Sequence, residues 1–554
     1  MTHARAPWLL LIVTVLLFAP LSMADFLWDD QILVTENLLT GDWHNLPEFF
    51  RIGLWESTPI AETDSAYYRP MMLVDLWLDR QLFGLSPLAH HLHSLAWHLL
   101  CTWLLWRLLL LLAPGNRRAA VAAGIFALHP LSTETVAFIA ARNDAMAVAG
   151  ILGALLLLAP RDCSRRRLVL AGAVTLYGLL AKETAILILP MLLCLDWLRF
   201  GGLGPKDRYL PPVVAIAITI GLRSLSSVDS LEIDVGAALA QAPTVLGYYA
   251  SLLVWPLGTS PTVPIELLPA HGLALAAALL IWTVLLVLGR KTALVGLLLA
   301  VLGLLPALAG VLQYGGLPYR YAYLSLVGVA VAVHACLNSR ALPLGLGVAA
   351  LLAIATSSGL RTWSSTLDLW EAGYAYAPGG HTACGLFKAL EAEATNSDTP
   401  ERRDAFEEAA EDMLERSLQP PPSTYCCYSA SRWYWLRGRP DLAQASAERA
   451  LANGCPGSAE LLAPYAISLA VLGQWEEAEG WAEMVDRDPT GLVPLVLSAA
   501  ALRRGDSSVL EAWEARDGGD GAMPIREQVE MILGTSASSS PSSSESPTPE
   551  PPPQ

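Results

Sequence analysis

Charge is scarce in this chain: only 16% of its 554 residues are Asp, Glu, Lys or Arg, against roughly a quarter in soluble domains. That shortage excludes one large soluble core, which would need far more polar surface to cover it. Lysine is rarer still, with Lys182, Lys206, Lys291 and Lys388 the only four among 35 basic residues. No basic footprint for nucleic acid is present. A P-loop, a nucleophile elbow and an H-E-x-x-H pair are all missing, so neither a nucleotide-driven pump nor these hydrolases has visible machinery. The eight cysteines show no metal-ligand spacing. Cys101, Cys163, Cys194 and Cys336 lie in or beside apolar runs as small hydrophobes. Cys384, Cys426, Cys427 and Cys455 could form disulfides in an oxidising space, but sequence does not give the pairing.

What is abundant is apolar: 54% of the residues are hydrophobic. Runs of about 15–25 such residues recur from Trp8 to Gly359, and roughly 20 helical residues cross a bilayer core. The pattern predicts an all-α, polytopic membrane bundle of about 11 spans in residues 1–360. The spans fall near 8–24, 88–112, 119–139, 144–160, 168–181, 184–198, 210–225, 271–288, 292–312, 321–337 and 341–359. Residues 1–26 imitate a secretory signal, yet the spans that follow favour an uncleaved anchor. Segment 237–256 would break the alternation and reads as a re-entrant or interfacial helix on the outer side.

Basic residues fix the orientation, because Lys and Arg gather in cytoplasmic loops. Arg117 with Arg118, Arg161 with Arg165 to Arg167, Arg199 with Lys206 and Arg208, Arg290 with Lys291, and Arg340 all fall on one side. On the opposite side lie charges of both signs close to the membrane: Asp29, Asp30, Arg69, Glu134, Arg142, Asp144, Lys182, Glu183 and Arg320. Ionisable groups at such depths are costly and mark candidate sites. The first outer loop, about 25–87, carries scattered Trp and Phe, and 71–78 reads as an interfacial helix.

Each motif also has a plainer reading. Asp29-Asp30 after the first span is a candidate general base, or a solvated cap. Arg69 before Pro70 can grip a phosphate, or snorkel toward headgroups. His129-Pro130 interrupts a span beside Glu134, with Arg142 and Asp144 beyond, either as site or as structural kink. Lys182-Glu183 sits between two short spans, and Tyr319-Arg320-Tyr321 with Tyr323 opens a later one. His90, His91, His93 and His98 look metal-like but lack an acidic ligand at a fitting spacing, so no metal and no cofactor are expected.

After Arg361 the pattern becomes amphipathic and acidic. Acids outnumber bases 30 to 14 from there to the end, whereas the preceding residues hold 21 of each. Gly438 to Gly473 and Ala443 to Ala478 both repeat at 35 residues, the period of tetratricopeptide-type hairpins. A short helical repeat domain is expected over 361–534, and a disordered Ser/Pro-rich tail over 535–554.

Together these motifs resemble the transmembrane and tetratricopeptide-repeat O-mannosyltransferases, members of the GT-C class of membrane glycosyltransferases. The marks are Trp28-Asp29-Asp30 with Asn37, Tyr68-Arg69-Pro70-Met71, and Pro87, His91 and His98 in register. They continue through His129-Pro130 to Glu134, Arg142-Asn143-Asp144, Lys182-Glu183, Arg320-Tyr321-x-Tyr323 and Arg361-Thr362-Trp363. The resemblance implies an inverting hexosyltransferase, with mannose one candidate sugar, that uses a polyprenyl-phosphate donor on the non-cytoplasmic face. It implies Asp29 or Asp30 as base and Arg69, Arg142, Lys182 and Arg320 around the donor phosphate. His129, Glu134, Asp144, Glu183 and Tyr323 would support them. The acceptor would be a protein or glycan presented by the repeats, and membrane lipid the surrounding partner. Ser94, Tyr319 and Ser325 depart from the family's usual residues. A polysaccharide polymerase or ligase, or a non-enzymatic repeat scaffold, stays open as an alternative. Composition suggests a GC-rich bacterial genome, hence an inner-membrane protein with periplasmic repeats.

Overall fold

A computed structural model describes residues 6–58, 67–228, 235–256, 261–263, 279–280, 283, 291–314, 316–420, 422–485, 491–514 and 525–538. The expected span 271–288 and the tail beyond 538 therefore lie outside or almost wholly outside the described residues. The described elements are helices, with no β-strand among them. They divide into two compact units, Met1–Ala377 and Pro378–Gln554. The division falls after 377 rather than after 360, because the Thr366–Tyr376 helix belongs to the first unit. Leu369 packs there with Phe18, Leu27, Phe138 and Trp363.

The first unit is that of an integral membrane protein. Five of its described helical stretches are long and apolar enough to cross a bilayer: Ala6–Met23, Pro87–Leu112, Ile139–Leu157, Lys291–Leu308 and Leu342–Trp363. Other expected spans form shorter helices: Arg165–Ala181, Ile188–Phe200, Leu210–Ser224 and Tyr323–Cys336. Span 119–139 is split. Its first part is Asn116–Ala127; Pro130 then opens a 3-10 turn, and a five-residue helix, Thr133–Ala137, follows. Proline removes an N–H and clashes with the preceding turn, so the helix ends there. His129 secures the break by accepting the Leu131 N–H at 3.2 Å.

Small residues let these helices approach closely, as membrane packing requires. A Cβ on Gly328 would lie 2.2 Å from the Ala300 nitrogen, and one on Gly296 would lie 2.4 Å from that of Ala332. The Lys291–Tyr314 and Tyr323–Cys336 helices therefore meet almost backbone to backbone.

Shared helices separate two sets of charge. The Arg142–Leu157 helix starts at Arg142, while the carbonyls of Leu156 and Leu157 at its far end accept from Arg167 at 3.0 and 2.9 Å. Arg165–Ala181 runs from the arginine-rich set to Lys182, and Ile188–Phe200 runs from Glu183 back to Arg199. At 1.5 Å per residue, a 16-residue helix holds the two sets about 24 Å apart.

The outer loop has its own core, in which Phe26, Leu33, Val34, Phe49 and Leu54 pack on Met72, Leu73 and Leu76. The expected surface helix at 71–78 is a 14-residue helix, Pro70–Phe83, with Met72, Leu73, Asp75, Leu76 and Asp79 buried. Leu78 and the far end, Leu82 and Phe83, are exposed. Segment 237–256 overlaps the Val235–Leu252 helix, which buries Val245, Tyr248 and Tyr249.

In the second unit consecutive helices pack as pairs, beginning with Gly380–Thr395 and Pro400–Ser417. Gly438, Gly473 and Gly505 each follow a helix with φ of 66, 84 and 82°. The sequence period is thus a repeated left-handed turn, which glycine adopts without strain. Glu407, Glu411 and Glu415 on one helix pair with Arg437, Arg439 and Arg449. Two disulfides, Cys384–Cys426 and Cys427–Cys455, tie neighbouring helices through adjacent cysteines.

Candidate active site

Helix breaks bring three ion pairs together. Arg69, just before the Pro70–Phe83 helix, binds Glu183 with two bonds: Nε to Oε2 at 3.1 Å and Nη2 to Oε1 at 2.7 Å. Lys182 donates from Nζ to Asp144 at 2.6 Å. Arg320 pairs with Glu134, to which it also donates its backbone N–H at 2.8 Å. Tyr321 stands among them: the Lys182 nitrogen is 5.6 Å and the Arg320 guanidinium carbon 5.5 Å from its ring centroid. Arg69 lies 4.0 Å over the ring of Tyr67. Six of the sequence-derived site residues therefore meet, although they are up to 251 positions apart in the chain. The pairs are not sealed, since Glu183 keeps 57% of its side chain exposed and Arg320 keeps 21%.

The two adjacent aspartates have different surroundings. Asp30 is wholly buried. Its carboxylate accepts the Leu27 N–H at 3.3 Å, the Ile139 N–H at 3.2 Å and the Ala140 N–H at 2.7 Å. Burial pushes its pKa up to about 8, while those three donors pull the other way. Its oxygens are committed to fastening the outer loop to the start of the Ile139–Leu157 stretch. Asp29 is half-buried. It follows Trp28, the one non-glycine described residue with positive φ, at 47°. Such strain persists only where the surroundings impose it, and it clusters at functional positions. Trp28 donates its N–H to Thr366 at 3.0 Å, stacks on Phe138 at 5.4 Å, and meets Trp370 edge-on. Arg320 lies 5.7 Å from the centroid of that same Phe138 ring. The strained turn thus sets Trp28, the residue before Asp29, against the same Phe138 ring that Arg320 approaches.

Arg142 stands apart from these pairs. It is wholly buried, and Nη1 binds Asp75 and Asp79 at 2.6 and 2.5 Å. Nε donates to Ser94 at 2.9 Å and Nη2 to the His90 carbonyl at 2.7 Å. Ser94, one of the departures from the family pattern, is therefore a partner of this arginine. His93 joins through Asp79 at 2.6 Å. Arg142 thus holds the outer-loop helix against the bundle, with Nε, Nη1 and Nη2 all engaged by protein acceptors. Asp75, Asp79 and His93 place three ligand atoms within 4.8 Å of one another, so a histidine does have acidic neighbours here. Arg142 already fills the position between the carboxylates that a cation would take, so the packed residues do not fit a metal.

Sequence reading missed Asp75 and Asp79, whose i,i+4 spacing on an otherwise apolar helix was the available signal. Two supporting residues are also structural. Tyr323 is buried and hydrogen-bonds through its hydroxyl with His98 at 2.7 Å. His129 caps the proline turn and meets the Leu253 carbonyl at 3.4 Å.

Comparison with known proteins finds relatives over part of the chain. Over 174 residues the chain is 31% identical to Protein O-mannosyl-transferase Tmtc1 of Drosophila melanogaster. It is 26% identical over 132 residues to Protein O-mannosyl-transferase TMTC3 of Homo sapiens. The chain is similar to TMTC-type O-mannosyltransferases. The likeness covers 31% of this chain and 20% of the fly protein, and 24% and 14% for the human one. The chain thus spans about a fifth, or less, of these TMTC relatives. No family model matches it. An oligosaccharyltransferase of Archaeoglobus fulgidus aligns over 72% of this chain and 56% of its own, at 14% identity and a TM-score of 0.33, a likeness too low to bear on function.

Proposed function

We propose that the chain is an inverting, GT-C-type membrane glycosyltransferase. It moves a hexose, with mannose the first candidate, from a polyprenyl-phosphate donor to a hydroxyl of a protein acceptor. The observation that carries this reading is the meeting of Arg69–Glu183, Lys182–Asp144 and Arg320–Glu134, with Arg320 approaching the Phe138 ring on which Trp28, the neighbour of Asp29, stacks. Each cation is held by one carboxylate. A phosphate can therefore take over donors that are already oriented, and Arg binds it in a two-donor geometry. In the reaction the acceptor oxygen attacks the anomeric carbon, and the bond from that carbon to the phosphate oxygen breaks. The acceptor's proton passes to Asp29, and the polyprenyl phosphate leaves with its new charge offset by Arg69, Lys182 and Arg320. Asp30 acts as a positioning residue by fixing the loop that carries Asp29.

The reading extends to topology. Disulfides persist in oxidising compartments, and Cys384–Cys426 with Cys427–Cys455 supports a non-cytoplasmic repeat unit, periplasmic in a bacterial cell. Tetratricopeptide-like repeats there would present the acceptor. The test uses purified protein, synthetic polyprenyl-phosphate hexoses and a peptide acceptor. Asp29→Asn should abolish transfer with an unchanged melting temperature, and full transfer by that variant overturns the assignment.

A further inference from the structure

The arginine-rich end of the bundle is packed in a way that its charge alone does not explain. Phe200, the last residue of the Ile188–Phe200 helix, has three guanidinium groups around one ring. The carbons of Arg161, Arg199 and Arg208 lie 5.6, 5.6 and 5.0 Å from its centroid. One ring attracts each of them weakly, while three like charges so close repel one another. Among the described residues a carboxylate pairs with Arg208 alone of the three, Asp196 at 2.7 Å. Arg199 spends a donor on the Ala159 carbonyl, and neither it nor Arg161 forms an ion pair among the described residues. Arg208 is wholly buried, yet its Nε and Nη1 have no acceptor among the described residues. The cluster is therefore short of negative charge and of acceptor oxygens.

Its surroundings supply the rest of a lipid site. Leu193, Trp197 and Phe200 follow at i, i+4 and i+7, one face of a helix, and Leu193 and Trp197 are 42% and 44% exposed. Lys291 lies 3.8 Å over the Trp197 ring, the aromatic-and-basic pairing of headgroup depth. We propose that this end binds an anionic phospholipid, with its phosphate between Arg161 and Arg199 at the edge of Phe200 and its acyl chains along Leu193 and Trp197. Basic pockets between membrane helices hold such headgroups. The site stands apart from the ion-paired site and does not depend on the function proposed for that one.

Native mass spectrometry of the detergent-purified full chain tests this, with phosphatidylglycerol, phosphatidylcholine or inorganic phosphate added. Phosphatidylglycerol should be retained in preference to phosphatidylcholine and should resist millimolar inorganic phosphate. Arg161→Gln/Arg199→Gln should weaken its retention at least tenfold, and Arg161→Gln alone about fivefold, a variant that removes an exposed side chain with no ion pair. Equal retention of the two lipids, displacement by inorganic phosphate, or unchanged retention in Arg161→Gln would each overturn the proposal.

Discussion

The two ends of the membrane unit handle positive charge in opposite ways. At the arginine-rich end, guanidinium groups mostly satisfy backbone carbonyls: Arg167 binds those of Leu156 and Leu157, Arg208 that of Leu158, and Arg118 those of Pro114 and Leu337. Cations there complement helix C-termini, where the macrodipole is negative. At the other end each cation faces a carboxylate. A carbonyl is fixed to its helix, so an arginine bound to it is a permanent cap. A side-chain carboxylate can yield to a ligand, so an arginine bound to it is a group held in readiness. Charge mostly of one sign marks one end of the unit, whereas paired charge of both signs marks the candidate site.

The sharpest test of that contrast lies in activity. Asp29→Asn should lower transfer by about 10²–10⁴-fold, the range for loss of a general base, whereas Arg167→Gln at the opposite end should leave transfer unchanged. Next in size is the buried network. Arg142→Met leaves Asp75 and Asp79 without their partner, and breaking a buried pair costs about 3–5 kcal/mol. Thermal unfolding followed by size-exclusion chromatography should show a large drop, and a wild-type melting temperature would make Arg142 dispensable. Asp30→Asn removes an oxygen acceptor from a site with three N–H donors and should cost about 1–3 kcal/mol, which separates its structural role from the chemistry of Asp29.

Asp30 also gives a pH signature. Its pKa rises from 3.8 unfolded to about 8 folded, so the folded state holds the proton more tightly. The related stability is complete below about pH 4, declines as the unfolded carboxyl ionises, and is lost as pH rises through about 8. Melting temperature should therefore fall between pH 5 and 9 in the parent protein, and the fall should flatten in Asp30→Asn. The smallest effect belongs to the carbonyl caps, where Arg167→Gln should cost about 0.3–1 kcal/mol.

Much of this was legible beforehand, and unevenly so. The meeting of Arg69, Glu134, Asp144, Lys182, Glu183 and Arg320 could be anticipated because they sit where apolar runs stop or, for Glu134, beside a proline break in one, and alternate run ends share a side. Which cation takes which carboxylate could not, since pairing depends on how the helices cross. Asp75 and Asp79 escaped notice because two acids one turn apart on an apolar helix suit a water-facing surface equally well. Only burial against Arg142 shows otherwise. The glycine period at 438 and 473 was visible as spacing, and its cause, a left-handed turn after each helix, came from the backbone.

The sequence alone determined the helical membrane character, the existence of a second acidic helical unit and the side on which mixed charge collects. These depend on hydropathy, helix length and charge count, which are properties of segments. Tertiary structure decided that Asp30 is buried among three N–H donors while Asp29 is half-buried, that Arg142 is a strut, and that three arginines share one ring. Those outcomes depend on which donors, acceptors and surfaces other helices bring within 3 to 6 Å, and no single segment contains that information.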